Sequence, residues 1–137
     1  MKTLIIILGC LVNISMANAS CSSDLRKAKR WVKSTEKIVD KANADIFKAN
    51  EFAESGKNQK ACRFYKKALS KDVKAYKKLM KAVYLTNDFD FNNCWSNESE
   101  RLNSFASEKA DRIYNRYHEV FFSRSYCAFG DFVMGDL

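Results

Sequence analysis

The sequence contains no proline, only four glycines and a single histidine among its 137 residues. Because proline and glycine interrupt helices and form turns, their scarcity favours long helices joined by few turns. The length is that of one domain. A lone histidine, His118, offers little for acid–base catalysis, and no glycine-rich phosphate loop, nucleophile motif or CxxC metal motif is present. We therefore expect an all-α domain without catalytic activity, cofactor or metal.

The first nineteen residues have the pattern of a signal peptide. Lys2 supplies the positive start, an apolar run from Leu4 to Val12 follows, and Ala17-Asn18-Ala19 fits the small-x-small cleavage rule. The apolar run is too short to span a bilayer. We predict a mature chain of residues 20–137 that is exported to the periplasm or the cell exterior and has no transmembrane segment. The alternatives are an uncleaved anchor or a buried first helix, and a lipid-modified start at Cys10 or Cys21.

Three stretches of helical periodicity predict an antiparallel, up-down-up bundle with helices over residues 22–55, 58–85 and 97–123. In the first stretch, small and apolar residues recur every three or four positions, the pattern of a coiled-coil-like seam. These residues are Leu25, Ala28, Val32, Thr35, Val39, Ala42, Ile46, Ala49 and Ala53. Gly56 fits a left-handed stop for this helix.

Capping and loop residues give four smaller expectations. Ser22 or Ser23 can cap the first helix, and Asn97 with Glu100 can form a capping box for the third. The loop aromatics between the second and third helices should cover one end of the core; they are Phe89, Phe91 and Trp95. The apolar content of the C-terminal tail predicts that it docks back onto the bundle.

Four cysteines remain after the signal peptide, and an even number in a short exported chain predicts two disulfides. In an up-down-up bundle, Cys21 before the first helix and Cys94 in the second loop lie at one end. Cys62 early in the second helix and Cys127 after the third lie at the other. Because bonded cysteines need Cα atoms within about 7 Å, we predict the pairs Cys21–Cys94 and Cys62–Cys127.

Positive charge is concentrated in residues 57–86, which contain ten Lys and Arg and one acid, Asp72. In an antiparallel hairpin, the end of the second helix lies beside the start of the first, so both contribute to a composite basic end. Its candidate residues for binding an anionic partner are Arg26, Lys27, Lys29, Arg30, Lys33, Lys37, Lys74, Lys77, Lys78 and Lys81. Acids at the same end should offset part of this charge: Asp88, Asp90, Glu98 and Glu100. The alternative without a binding role is a solvated face that only keeps the bundle soluble.

One short segment, Ala49 to Leu69, resembles a single tetratricopeptide hairpin. The small, aromatic and turn positions of that motif are occupied by Ala49, Phe52, Gly56, Ala61, Tyr65, Ala68 and Leu69. No second copy follows at the required period, and stacked repeats need several copies to be stable. The resemblance therefore implies a tight helical hairpin and carries no function with it.

Three hypotheses about function remain. The first is a non-catalytic, exported binding protein of the inhibitor, adaptor or immunity type, with a protein partner. The second is a peripheral protein whose basic helix face binds an anionic membrane or cell-envelope polymer. The third and weakest is a small hydrolase with an unrecognised site. Nucleic acid is not an expected partner of an exported chain.

We predict cleavage of the signal peptide after Ala19, because the charged start, short apolar run and Ala-x-Ala site occur together. Intact-mass spectrometry of the protein from its native source should give a chain that begins at Ser20. A chain that keeps Met1, or one that begins at a lipid-modified cysteine, would contradict the prediction.

Overall fold

A computed structural model describes the backbone of residues 2–90 and 92–129, and the side chains within these ranges from Ser20 onward. It contains three α-helices, α1 (Lys2–Glu54), α2 (Asn58–Asn87) and α3 (Asn97–Ser123), followed by a short 3-10 helix, Ser125–Cys127. These ranges contain no strand. The predicted all-α, three-helix bundle is confirmed, and five of the six helix ends lie on their predicted positions or within two residues of them.

Within the described residues, no helix combines the length and apolar content needed to cross a membrane.

Helix α1 begins at Lys2, well before the predicted start at Ser22. In the full chain the helix passes through Ser22 and Ser23 without interruption, so neither residue caps its N-terminus, and that expectation is wrong for the uncleaved chain. The reason is local: no proline separates the first nineteen residues from the seam that follows. Cleavage after Ala19 would leave a helix with an N-terminus close to the predicted one, and the signal peptide stays a prediction.

The turn between α1 and α2 is built around Gly56, as expected. Its φ of +71° lies in the left-handed region that favours glycine. The Lys57 backbone N–H donates to the Phe52 carbonyl at 2.8 Å, and the Gly56 N–H donates to the Ala53 carbonyl at 3.0 Å. This pair of bonds is the Schellman motif, which satisfies two carbonyls at the end of a helix. The turn therefore reverses the chain within three residues and sets α2 antiparallel to α1.

A seam of small residues joins α1 to α2. Alanine or threonine occupies every seventh position on both helices, and all of these side chains are buried. On α1 they are Ala28, Thr35, Ala42 and Ala49, and on α2 they are Ala61, Ala68, Ala75 and Ala82. A heptad repeat keeps such a seam facing one partner along its whole length, and small residues allow two helix backbones to approach closely.

Larger apolar residues fill the core at either end of this seam. One cluster, which includes Val32, Leu79 and Ile113, lies toward the second loop. The other lies near the first turn and joins Tyr65 and Leu69 of α2 to Tyr117 and Val120 of α3, and it also contains Phe129. Phe129 is buried, so the described part of the C-terminal tail docks onto the bundle as expected. Residues 130–137 lie outside the described residues.

The loop aromatics meet the expectation only in part. Phe89 is buried, with 2% of its surface exposed, and covers the core end as predicted. Trp95 is 56% exposed and does not, so that part of the prediction is wrong. It immediately precedes Ser96, which has an extended backbone (φ −153°, ψ 158°) that leads the chain into α3. Phe91 lies outside the described residues.

The cap of α3 lies one residue before the predicted one. Ser96, not Asn97, is the N-cap, and Ser99, not Glu100, completes the capping box. The Ser99 N–H donates to Ser96 Oγ at 3.1 Å, while the Ser96 N–H donates to Ser99 Oγ at 2.9 Å. The serine side chain reaches back to the N-cap backbone in the way that glutamate does in the usual box. Glu98 and Glu100 lie in the first turn, where the helix dipole favours acids.

Two disulfides join the ends of the bundle, and their pairing is the predicted one. Cys21 bonds Cys94, and Cys62 bonds Cys127, with Cα–Cα distances of 5.2 Å in both pairs. The first ties Cys21, within α1, to the second loop. The second ties the start of α2 to the 3-10 helix after α3. Disulfides of this kind persist in oxidising compartments, which indicates an exported environment for the folded chain.

We expect each disulfide to stabilise the fold by about 4 kcal/mol, because each closes a loop of about 70 residues in the unfolded chain. The sequence separations of 65 and 73 residues are so similar that the variants C62S/C127S and C21S/C94S serve as controls for one another. Guanidinium unfolding of both variants should show losses within about 1 kcal/mol of each other. A loss confined to one variant would contradict the loop-closure account.

Candidate binding surface

The structure shows which ends of α1 and α2 lie side by side. Lys78 Nζ on α2 donates a hydrogen bond to Ser34 Oγ on α1 at 3.1 Å. The Cys21–Cys94 disulfide closes the same end of the hairpin. The cations of α1 that follow Cys21 and those at the end of α2 therefore lie on neighbouring helices, which is the arrangement that the composite basic end requires.

The predicted cations of the composite basic end are exposed, with one exception. Lys78 is half-buried because its ammonium bonds Ser34 across the helix interface. Lys29 forms an ion pair with Glu98 of α3, so part of the charge is offset as expected. Within the described residues, no ion pair involves Lys74, Lys77 or Lys81. These three lysines on α2 thus present their charge to solvent.

The acids predicted at this end are not gathered into one site. Asp88 and Asp24 line a cleft of about 320 Å³ beside the Cys21–Cys94 disulfide, with Phe89 among the other lining residues. Asp90 and Glu100 do not line it, and both are exposed. In the part of the chain that the structure describes, no group of His, Cys, Asp and Glu side chains is placed to hold a metal ion.

The only acid of the basic segment, Asp72, lies inside the bundle. Its side chain is fully buried and bonds Arg116 of α3, whose Nε donates to Asp72 Oδ2 at 3.1 Å and whose Nη2 donates to Oδ1. Arg116 Nη1 also donates to Asn43 Oδ1 on α1, so one guanidinium links all three helices. Burial raises the pKa of the Asp72 carboxyl above its usual value, although Arg116 opposes the shift. Because this carboxylate faces inward, the outer surface of residues 57–86 is cationic.

A second cationic cluster, which the sequence analysis missed, lies near the first turn. Phe52 of α1 stacks on Phe64 of α2 with ring centroids 5.5 Å apart. Lysine ammoniums surround the pair: Lys48 and Lys67 lie 5.8 and 5.0 Å from the Phe64 centroid, and Lys60 lies 5.7 Å from that of Phe52. The available signal was the spacing of residues 60, 64 and 67, which share one face of a helix. We call this group the aromatic–lysine cluster.

His118 is surrounded by aromatic rings. Its ring centroid lies 4.2 Å from that of Tyr114 and 5.8 Å from that of Phe122, and Tyr117 meets it edge-on. No hydrogen bond joins His118 to a carboxylate or hydroxyl group among the described residues. The ring packs along α3 in the manner of the aromatic side chains one turn before and after it. The expectation that the protein is not an enzyme stays a prediction.

Comparisons with protein families, with curated proteins and with solved structures found no match to this chain. The resemblance of residues 49–69 to a tetratricopeptide hairpin is therefore supported by local geometry alone, in the form of the tight turn at Gly56. Helix α1 is 53 residues long and continuous, unlike the short paired helices of a repeat array.

The variant Arg116→Ala should lose about 3–5 kcal/mol of stability at pH 7, because it leaves the Asp72 carboxylate buried without its partner. The loss should shrink at acid pH. A folded-state pKa above the unfolded value means that the folded state binds the extra proton, so stability falls as pH rises from the unfolded value through the folded one. Removing Arg116 raises that folded pKa further and steepens the fall. Urea unfolding of the variant and the wild type between pH 3 and 7 measures this dependence of the free energy of unfolding on pH.

The matched control for this prediction is Asp72→Asn combined with Arg116→Ala, which removes the titrating group along with its partner. Its stability difference from the wild type should vary much less with pH than that of the single variant. A single-variant loss that is constant from pH 3 to 7 would show that Asp72 does not carry the effect.

Proposed function

We propose that this protein is a small, exported, non-catalytic binding protein that recognises an acidic surface on a protein partner through the composite basic end. The observation that carries the proposal is the exposure of two cation rows on adjacent helices, with Lys74, Lys77 and Lys81 free of ion pairs among the described residues. Converging like charges attract an anionic partner more strongly than isolated ones, because neighbours within a Debye length of about 8 Å reinforce each other.

The shape of the molecule supports a binding role. Its two disulfides and heptad seam hold a rigid rod, so the cations need little reordering when a partner arrives, and a preorganised surface binds more tightly than a mobile one. Exposed aromatic side chains, among them Phe47 at 65% and Phe122 at 62%, are of the types enriched in protein interfaces. We place the protein in the periplasm or outside the cell, on the basis of the signal-peptide pattern and the disulfides.

A second candidate function is adsorption to an anionic membrane or cell-envelope polymer. It is favoured by the length of the cationic face, since basic residues continue along α2 from the composite basic end to the aromatic–lysine cluster. An extended anionic surface would contact the whole face, whereas a protein partner would contact one end. Salt separates the two by degree: adsorption through charge alone is lost at high ionic strength, whereas a protein interface that also packs apolar side chains keeps part of its affinity.

We expect the variant Lys74→Glu, Lys77→Glu, Lys81→Glu to weaken capture of an acidic partner at least tenfold, because three attractive charges become repulsive. The triple change leaves Lys78 and its bond to Ser34 in place, so folding should be unaffected. Binding is measured with the mature, oxidised protein as bait in extract from its native compartment, followed by quantitative mass spectrometry and by interferometry with the partner recovered.

The matched control changes Lys60, Arg63 and Lys67 to Glu on the same helix. It alters the net charge equally but removes charge from the other end. Retained binding by this control, with loss by the first triple, supports the composite basic end. Equal losses in both, together with salt-sensitive retention on vesicles containing anionic lipid, would favour the membrane or polymer function. Unchanged binding in both variants would show that these cations contribute to solubility and not to binding.

A further inference from the structure

The three helices do not close completely around the core. Helices α1 and α3 each pack along α2 but contact one another at only a few points. Between them lies an open groove of about 340 Å³. Its apolar floor includes Val39 from the predicted seam of α1, which stays half-buried, and Ile113 of α3. The groove thus leaves part of the coiled-coil seam without a covering helix.

The two walls of this groove carry opposite charges. On the α1 wall, Glu36 and Asp40 are one helical turn apart and both exposed. On the α3 wall stand Lys109 and Arg112, and Arg116 also lines the groove, with its guanidinium bonded to Asp72 and Asn43. One ion pair crosses the groove, Lys109 Nζ to Glu36 Oε1 at 3.5 Å. Within the described residues, Arg112 pairs only with Glu108 on its own helix, and Asp40 has no ion-pair partner.

We propose that this groove binds an amphipathic helix of a partner protein, which completes a four-helix bundle. The proposal rests on the proposed function as a protein-binding module and names the partner's chemistry. The partner helix has a narrow apolar stripe for the floor, basic residues on the flank that meets the acidic α1 wall, and acidic residues on the flank that meets α3. Wall charges spaced three and four residues apart match the spacing of a helix flank.

Charge also sets the direction of the bound helix. Turning a helix end for end while its apolar stripe stays down exchanges its left and right flanks. A peptide with acids on one flank and bases on the other therefore fits the groove in one direction only. A second peptide with the charges of its flanks exchanged fits in the opposite direction. The two directions distinguish recognition by the charged walls from non-specific binding.

The test uses two synthetic amphipathic peptides, each with a leucine–alanine stripe, glutamates on one flank and lysines on the other, swapped between the two. Binding to the full mature protein is followed by anisotropy at low salt, and direction by a spin label at the peptide N-terminus. A third peptide of the same composition with its charges scattered over both flanks is the control. We expect both patterned peptides to bind, in opposite directions, and the scattered one to bind about tenfold more weakly.

Protein variants complete the design. Glu36→Lys with Asp40→Lys makes both walls basic and should weaken both patterned peptides about tenfold. Adding Lys109→Glu and Arg112→Glu to this two-residue variant exchanges the charges of the two walls. The affinity for both patterned peptides should then return, and each peptide should bind in the direction opposite to the one it takes on the wild type. No binding to the wild type, equal binding to the two-residue variant, or a single direction for both peptides would each overturn the proposal. Self-association of the wild type that the two-residue variant abolishes would assign the groove to a second copy instead.

Failure here is distinguishable from failure of the proposed function, because the lysine-to-glutamate triple on α2 leaves all of these groove residues unchanged.

Discussion

The fold depends on the heptad seam of small residues between α1 and α2. With Ala28, Thr35, Ala42 and Ala49 facing Ala61, Ala68, Ala75 and Ala82, the helices can lie close and parallel to one axis over their shared length. A seam this narrow leaves the long polar side chains no place inside. Most lysines and arginines of α1 and α2 therefore lie on the outer faces with their charge exposed, whereas Lys71 and Lys78 are half-buried and bond Asp45 and Ser34 across the hairpin.

The seam alone does not determine the position of α3 against the hairpin of α1 and α2. Two other features contribute to that position. One is the pair of disulfides, which bind the second loop and the segment after α3 to opposite ends of the hairpin. The other is Arg116, whose guanidinium reaches the buried Asp72 carboxylate on α2 and Asn43 on α1. A buried pair of this kind is weak as a source of net stability, but removing one partner is costly, so it penalises alternative positions of α3. We regard positional specificity as its main role in this bundle.

Much of the architecture could be predicted because it follows from periodicity and topology. The seam residues, the Gly56 turn and the disulfide pairing each depend on spacing or on which end of a helix a residue occupies. What was missed depends on side-chain geometry between helices. The pairing of Asp72 with Arg116 cannot be predicted from the local sequence of either helix. The contact between Phe52 and Phe64 can be predicted only when the register of the hairpin is known. The position of Trp95 depended on the cap of α3, where Ser96 and Ser99 were a less familiar combination than Asn97 and Glu100. The first residue of α1 was missed because the prediction concerned the cleaved chain.

The candidate binding surface could likewise be predicted from the sequence only in part. The composite basic end required only charge counting and an antiparallel hairpin, and the structure places both cation rows on adjacent helices. The inward position of Asp72 was not predictable, and it is the reason why the outer surface of residues 57–86 is cationic. The groove between α1 and α3 also required the structure, because its existence depends on how far the third helix lies from the first. Both sites follow from the same bundle, and we propose different occupants for them: an acidic surface for the composite basic end and an amphipathic helix for the groove.

The central claim is that anionic groups are recognised at the composite basic end and not along the molecule at large. A titration of the isotopically labelled mature protein with poly-glutamate, followed by two-dimensional NMR at low salt, tests it most directly. We expect amide shifts centred on residues 26–37 and 74–81, with little change around Lys48, Lys60 and Lys67. Shifts that centre on the aromatic–lysine cluster, or that spread evenly over all cationic residues, would contradict the account.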